Sequence, residues 1–212
     1  MTYKQASYEN TAKTIIKKLE QRGMVGYYCA DSASAKEMVM TMIPKGSSVT
    51  WGGSESMVEI GVIDAITNGE YVAVNRKAPT STTEEAKELK ANMYNADFFL
   101  TGTNAITVEG ELINIDGNGN RVACMINGPR TVIVVVGMNK LVTTVDEGIN
   151  RVHFVAGPPN AVRVGANTPC KTTGVCTMCT GNNSMCAHTV ITRSSMHKDR
   201  IHVILVGEEL GF

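Results

Sequence analysis

The run Val132-Ile-Val-Val-Val136 constrains the fold more than any other segment of the chain. Five consecutive β-branched residues offer water no polar face, so a strand made of them has to be covered on both sides. A final run, His202-Val-Ile-Leu-Val206, has nearly the same character. Strands of this kind belong in a parallel sheet with helices packed on either face. The remaining sequence supplies the partners. Strand-like segments at 26–30, 48–51, 71–75 and 97–101 alternate with helical periodicity at 8–22, from Asp31 or Ser32 through Met42, at 55–67, through Ala86, Leu89 and Met93, and from Asp146 through Ile149, Val152 and Phe154. Ser56-x-x-Glu59 and Ser81-x-x-Glu84 read as capping boxes for two of these helices. Ile106 to Ile115 alternates as a hairpin turning at Glu109-Gly110. The expectation is a single α/β domain over residues 1–212, its mainly parallel sheet flanked by helices, with a small hairpin and a long irregular loop over 157–190.

Twenty basic side chains balance twenty acidic ones, so no global field favours nucleic acid or a membrane surface. The N-terminus is polar and lacks the apolar core of a secretory signal. The apolar runs fall far short of the roughly 20 residues that cross a bilayer. A cytoplasmic protein with no nucleic-acid or membrane partner is expected. In that reducing setting, clustered cysteines point to metal or redox chemistry rather than to disulfides.

Such a cluster is present. Cys170, Cys176, Cys179 and Cys186 lie in a loop rich in Gly, Thr and Asn, in the order C-x5-C-x2-C-x6-C. A free cysteine ordinarily behaves as a small buried hydrophobe, so four in a polar loop are better explained by a shared ligand. The spacing matches neither the common ferredoxin run nor a zinc ribbon with two C-x2-C knuckles. An iron–sulfur cluster, a zinc ion and thiols with no metal therefore all remain open. His188 is a possible substitute ligand. His153, His197 and His202 show no ligand spacing, and Cys29 and Cys124 sit in apolar contexts that suit core packing.

In an open α/β sheet, ligands bind beyond the carboxyl ends of the strands. Those ends here carry Trp51-Gly52-Gly53-Ser54, Asn75-Arg76, Thr101-Gly102-Thr103-Asn104 and Gly137-Met138-Asn139-Lys140. Glycine followed by serine at a helix start exposes backbone N–H groups to an anion, and Arg76 and Lys140 suit a carboxylate or phosphate. Glu109 is the candidate general base or acid; Asn120 and Arg121 form a weaker candidate pair. Neither a G-x-G-x-x-G fingerprint nor a P-loop occurs.

Taken together, Thr50-Trp-Gly-Gly-Ser54, Asp97-Phe-Phe-Leu-Thr-Gly-Thr-Asn-Ala105, Glu109-Gly-Glu-Leu-Ile-Asn-Ile-Asp116, Gly119-Asn-Arg-Val-Ala123, Gly128-Pro129, Val134-Val-Val-Gly-Met-Asn-Lys140 and the terminal Arg200–Phe212 resemble the lactate-utilisation (LUD) domain family. The resemblance spans nearly the whole chain, in the branch with a C-terminal cysteine motif. It implies a Rossmann-like fold related to ribose-5-phosphate isomerase, glucosamine-6-phosphate deaminase and CoA transferases. It also implies a role in oxidising L-lactate to pyruvate beside iron–sulfur partner proteins, and this redox setting favours an iron–sulfur cluster, of the 4Fe–4S type, over zinc. Two other functions stay open at this stage. One is a sugar-phosphate or acyl-transfer enzyme using Glu109, with zinc as a staple; the other is a metabolite-binding subunit of an iron–sulfur oxidoreductase. A homo-oligomer is compatible with all three.

Overall fold

A computed structural model of the chain, which describes residues 2–212, sets the two apolar runs side by side. In chain order the elements are α1 (Tyr3–Gln21), β1 (Val25–Cys29), α2 (Ser32–Met42), β2 (Ser48–Trp51), α3 (Glu55–Glu59), α4 (Val62–Thr67), β3 (Val72–Val74), α5 (Thr83–Asn95), β4 (Phe98–Gly102), β5 (Ala105–Thr107), β6 (Leu112–Asp116), α6 (Asn120–Asn127), β7 (Thr131–Gly137), β8 (Leu141–Val142), α7 (Val145–Arg151), α8 (Gly157–Val164), α9 (Pro169–Thr173), β9 (His188–Thr192) and β10 (Ile201–Val206). Six strands form a parallel sheet in the order β1-β10-β7-β4-β2-β3.

The β7 run is covered on both faces. Val132, Val134 and Val136 pack with Ala12, Ile15 and Leu19 of α1 and with Cys124 and Met125 of α6. Ile133 and Val135 face the opposite layer, built from Ala35 and Val39 of α2, Met57 of α3, and Val62 and Ile66 of α4. All five β7 side chains are fully buried, and each contributes about 1.5–3 kcal/mol relative to an exposed position. The fold is α/β with a mainly parallel central sheet flanked by helices, as the alternating pattern implied.

A second sheet, in the order β8-β5-β6-β9, stands beyond the carboxyl edge of the first. The expected hairpin is its middle pair, β5 and β6, which run antiparallel and turn through Gly110 at φ +86°. Its outer strand β9 lies antiparallel to β6.

That strand corrects the irregular reading of 157–190. The segment holds α8, α9, a short 3-10 turn at Gly181–Asn183 and the first half of β9. Pro158-Pro159 would ordinarily break a helix, because proline inside one lacks the N–H and clashes with the preceding turn. The chain accommodates both prolines through a π-helical turn at Val152–Ala156, which leaves them in the first turn of α8, where no donor is missed.

Smaller corrections share one cause: local hydrogen bonding shifts the boundaries by a residue or two. Ser54, not Ser56, caps α3, accepting from the Met57 N–H, and the expected 55–67 helix divides at Gly61, a left-handed residue at φ +69°. Thr82 rather than Ser81 caps α5, while Glu85 accepts from the Ser81 N–H. Thr144 rather than Asp146 caps α7. Residues 120–127 are helical although Gly117-Asn-Gly119 reads as a turn.

The topology reverses between β2 and β4. These strands are neighbours, yet the chain leaves β2 toward the β3 edge and leaves β4, by way of the β5–β6 hairpin and α6, toward β7 and β10 in the opposite direction. Such a switch point opens a crevice outside the carboxyl ends of the two strands. Among the described residues, no helix is long and apolar enough to cross a membrane.

Candidate functional site

The crevice is a cleft of about 410 Å³. The β2 end contributes Gly53 and Ser54, the β4 end Thr101 through Asn104, and the turn after β7 contributes Lys140. Arg76 reaches in from beyond β3, Arg121 from α6 and Arg163 from α8. The opposite wall comes from the cysteine segment, through Ser184, Met185 and Cys186.

Three glycines set the close approaches at this edge. A Cβ on Gly52 would lie 3.0 Å from the Arg121 stem, and one on Gly53 would lie 2.9 Å from the Arg76 guanidinium. At Gly102 it would come 2.7 Å from the Ser54 hydroxyl. The strand ends are thus glycine-rich because guanidinium groups and a hydroxyl occupy the space where side chains would stand.

The four cations of the cleft are held differently. Arg121 is locked in place: it donates to Asp116 at 3.1 Å, to Asn114 Oδ1 at 2.6 Å, and to Asn104 Oδ1 and the Ile115 carbonyl at 3.1 Å each. Its side chain is 12% exposed and that of Asp116 is 9% exposed. Arg163 pairs with Glu55 at 3.2 Å and donates to Asn160. Arg76 makes no hydrogen bond or ion pair among the described residues. Lys140 is buried, and its Nζ donates to Ser56 Oγ at 2.9 Å. Burial lowers the Lys140 pKa from 10.5 to about 7; Arg151 and Arg121 act in the same direction, against a smaller opposing effect of Glu59.

Several expected residues stand elsewhere. Gly52 backs the cleft rather than lining it, and Trp51 packs partly buried against the helical layer of α2 to α4. Asn139 ties down the chain end, accepting from the Leu210 N–H at 3.1 Å and donating to the Gly211 carbonyl at 3.3 Å. Glu109 lies on the hairpin turn away from the cleft, where its carboxylate pairs with Lys18 at 2.9 Å and that hydrogen bond holds its pKa below the ordinary value. Arg163, Asn160 and Asp116 are cleft residues not anticipated from the sequence. The first two ride on α8, inside the 157–190 stretch that was expected to be irregular.

The cysteines share one neighbourhood. Cys170 is buried, with its sulfur 3.3 Å from Thr168 Oγ1. Cys176 lies 3.7 Å from His153 Nδ1 and accepts the Met178 N–H at 3.4 Å. Met178 takes a left-handed φ of 52°, which folds the C-x-x-C turn so that a backbone donor faces sulfur. The Cys186 thiol is pushed up to about 11, by burial first and then by Cys176, Cys179 and Cys170 in turn. All three are therefore close enough to act on it. By donor chemistry, four thiols with an N–H directed at sulfur suit an iron–sulfur cluster or a zinc ion. Among the described residues, however, no three His, Cys, Asp or Glu side chains are arranged around a common point as a bound metal ion requires.

The LUD domain family model matches residues 12–206. The chain belongs to the LUD domain family. A DUF162 family protein from Deinococcus radiodurans has a structure similar to this LUD domain, with a TM-score of 0.53 at 20% identity over 95% of this chain and 98% of that one; at that identity the likeness concerns the fold. Ribose 5-phosphate isomerases from Plasmodium falciparum and Methanocaldococcus jannaschii align over 53% and 63% of this chain and 52% and 62% of theirs, with TM-scores of 0.34 and 0.37 at 18% and 17% identity. No curated protein compared with the chain matches it. Family membership makes this a lactate-utilisation-type protein.

Proposed function

We propose that this LUD domain binds a small carboxylate of the 2-hydroxy or 2-oxo acid class in the cleft between β2 and β4, as a component of 2-hydroxy-acid oxidation of the lactate-to-pyruvate type. The observation that carries the reading is the state of the cleft cations. Arg121 and Arg163 already have carboxylate partners, whereas Arg76 has none among the described residues and stands over Gly53. An uncommitted guanidinium at a glycine-lined strand end suits a planar, bidentate carboxylate. Ser54 and the backbone of Gly102 to Asn104 would orient the rest of a small ligand, the Thr101 and Thr103 hydroxyls being committed to backbone carbonyls.

Cys170, Cys176, Cys179 and Cys186 would hold an iron–sulfur cluster, which would supply a one-electron acceptor beside the ligand. The reading rests on their number, the Met178 N–H aimed at sulfur and the position of Cys186 on the cleft wall; the four side chains would have to draw together around the group, since no three of them stand about a common point among the described residues. A 2-hydroxy acid gives up two electrons in becoming a 2-oxo acid, so a partner protein with its own iron–sulfur centres would supply the further acceptor.

Titration calorimetry with L-lactate and pyruvate tests the carboxylate site. Arg76→Met should weaken binding at least about tenfold, the loss expected for one charge-assisted contact of roughly 1.5–3 kcal/mol. Undiminished carboxylate binding by that variant, or a preference for inorganic phosphate over both acids, would count against the reading.

A further inference from the structure

A buried lysine is ordinarily paired or neutral. Lys140 belongs to the second kind, because its one hydrogen bond among the described residues goes to an uncharged hydroxyl, that of Ser56, which itself donates to the Leu210 carbonyl. The charged groups that act on it from the surrounding elements are Arg151 at the end of α7, Arg121 on α6 and Glu59 on α3. Both arginines oppose its protonation. Glu59, the group favouring it, accepts from the Gly211 N–H at 2.7 Å. Arg151 is fixed by carbonyls, donating to Asn104 at 2.7 Å and to Asn139 at 3.1 Å. A desolvated amine next to cations, on the wall of a cleft, is the arrangement that turns lysine into a nucleophile.

We propose that Lys140 is a nucleophilic amine that captures the carbonyl carbon of a 2-oxo carboxylate as an imine. The substrate class follows from the residues that line the cleft together: Arg76 for the carboxylate, and Lys140 for an adjacent carbonyl. In this respect the inference rests on the carboxylate reading of the cleft. The Nζ lone pair forms the new C–N bond while the carbonyl oxygen takes a proton. The resulting carbinolamine then expels that oxygen as water, and nitrogen gives up its remaining proton. Nothing is oxidised or reduced. A 2-hydroxy acid has no electrophilic carbon, so it can occupy the same site without reacting. The lowered Lys140 pKa leaves a substantial neutral fraction near pH 7.

Borohydride trapping decides the question. The full-length protein is incubated with pyruvate and cyanoborohydride, whose hydride adds to an imine carbon and fixes it as a secondary amine; L-lactate serves as the control. Intact-mass and peptide analysis should find one adduct per chain, on Lys140, with none from lactate. Its rate of formation should rise with pH through about 7. Lys140→Met should form no adduct while retaining its circular dichroism spectrum. No adduct at saturating pyruvate, or adducts scattered over exposed lysines, would overturn the proposal. If lactate still binds in that case, the imine alone fails; if neither acid binds, the carboxylate site fails with it.

Discussion

At the scale of single residues, the cleft divides its cations into fixed and free. Arg121 is part of the scaffold: it joins Asp116, Asn114, Asn104 and the Ile115 carbonyl, and so welds the second sheet to α6. Lys140 is the opposite case, a buried base whose charged form the fold disfavours. Its folded-state pKa lies below its unfolded value, so between about 7 and 10.5 the unfolded chain binds more protons than the folded one. The native state is therefore penalised below that window and recovers stability as pH rises through it. Lys140→Met removes the penalty. Its stability relative to the parent should be greatest at or below about pH 7 and should decline steadily toward pH 10.5 in urea denaturation measurements; a difference independent of pH would mean that Lys140 is charged in the folded state. Arg76 and Lys140 were legible in the sequence because they follow strand ends, whereas the locking role of Arg121 was only half visible, its helix being masked by a glycine-rich turn.

At the scale of elements, the least legible feature was α8, Gly157–Val164. A Pro-Pro pair in a helical stretch ordinarily signals an end, and only the π-helical turn removes the conflict. That turn also sets the rotation of α8, and with it the aim of Asn160 and Arg163. Deleting Val155 should convert the wide turn to an ordinary α-turn, place the prolines inside a continuous helix at a cost of about 3 kcal/mol, and turn α8 by about 100°. Calorimetric melting should show the loss of stability, and carboxylate titration should show weakened binding. Unchanged stability and affinity would mean that the π-turn has no part in placing Arg163. The central strands were legible for the converse reason: a run such as Val132–Val136 has one environment available to it. β9 was not, because His188-Thr-Val-Ile-Thr192 is only partly covered and gains its strand character from pairing with β6.

At the scale of the whole molecule, the parallel sheet, its switch point and the cysteine segment converge on one place. Residues 184–186 form a wall of the cleft, which would bring Cys186 and the cationic strand ends to the same ligand. The cysteine spacing raised the possibility of a shared ligand but carried no information on where that ligand stood relative to the sheet; the location depends on β9 returning the chain to β6. The most direct test of this convergence is an anaerobic titration of the full-length protein with L-lactate, followed by visible absorption. The account predicts sulfur-to-iron absorption bands that change and saturate as the acid binds, with the response lost in Arg76→Met. Protein that contains no iron, or bands indifferent to the acid while it demonstrably binds, would contradict it.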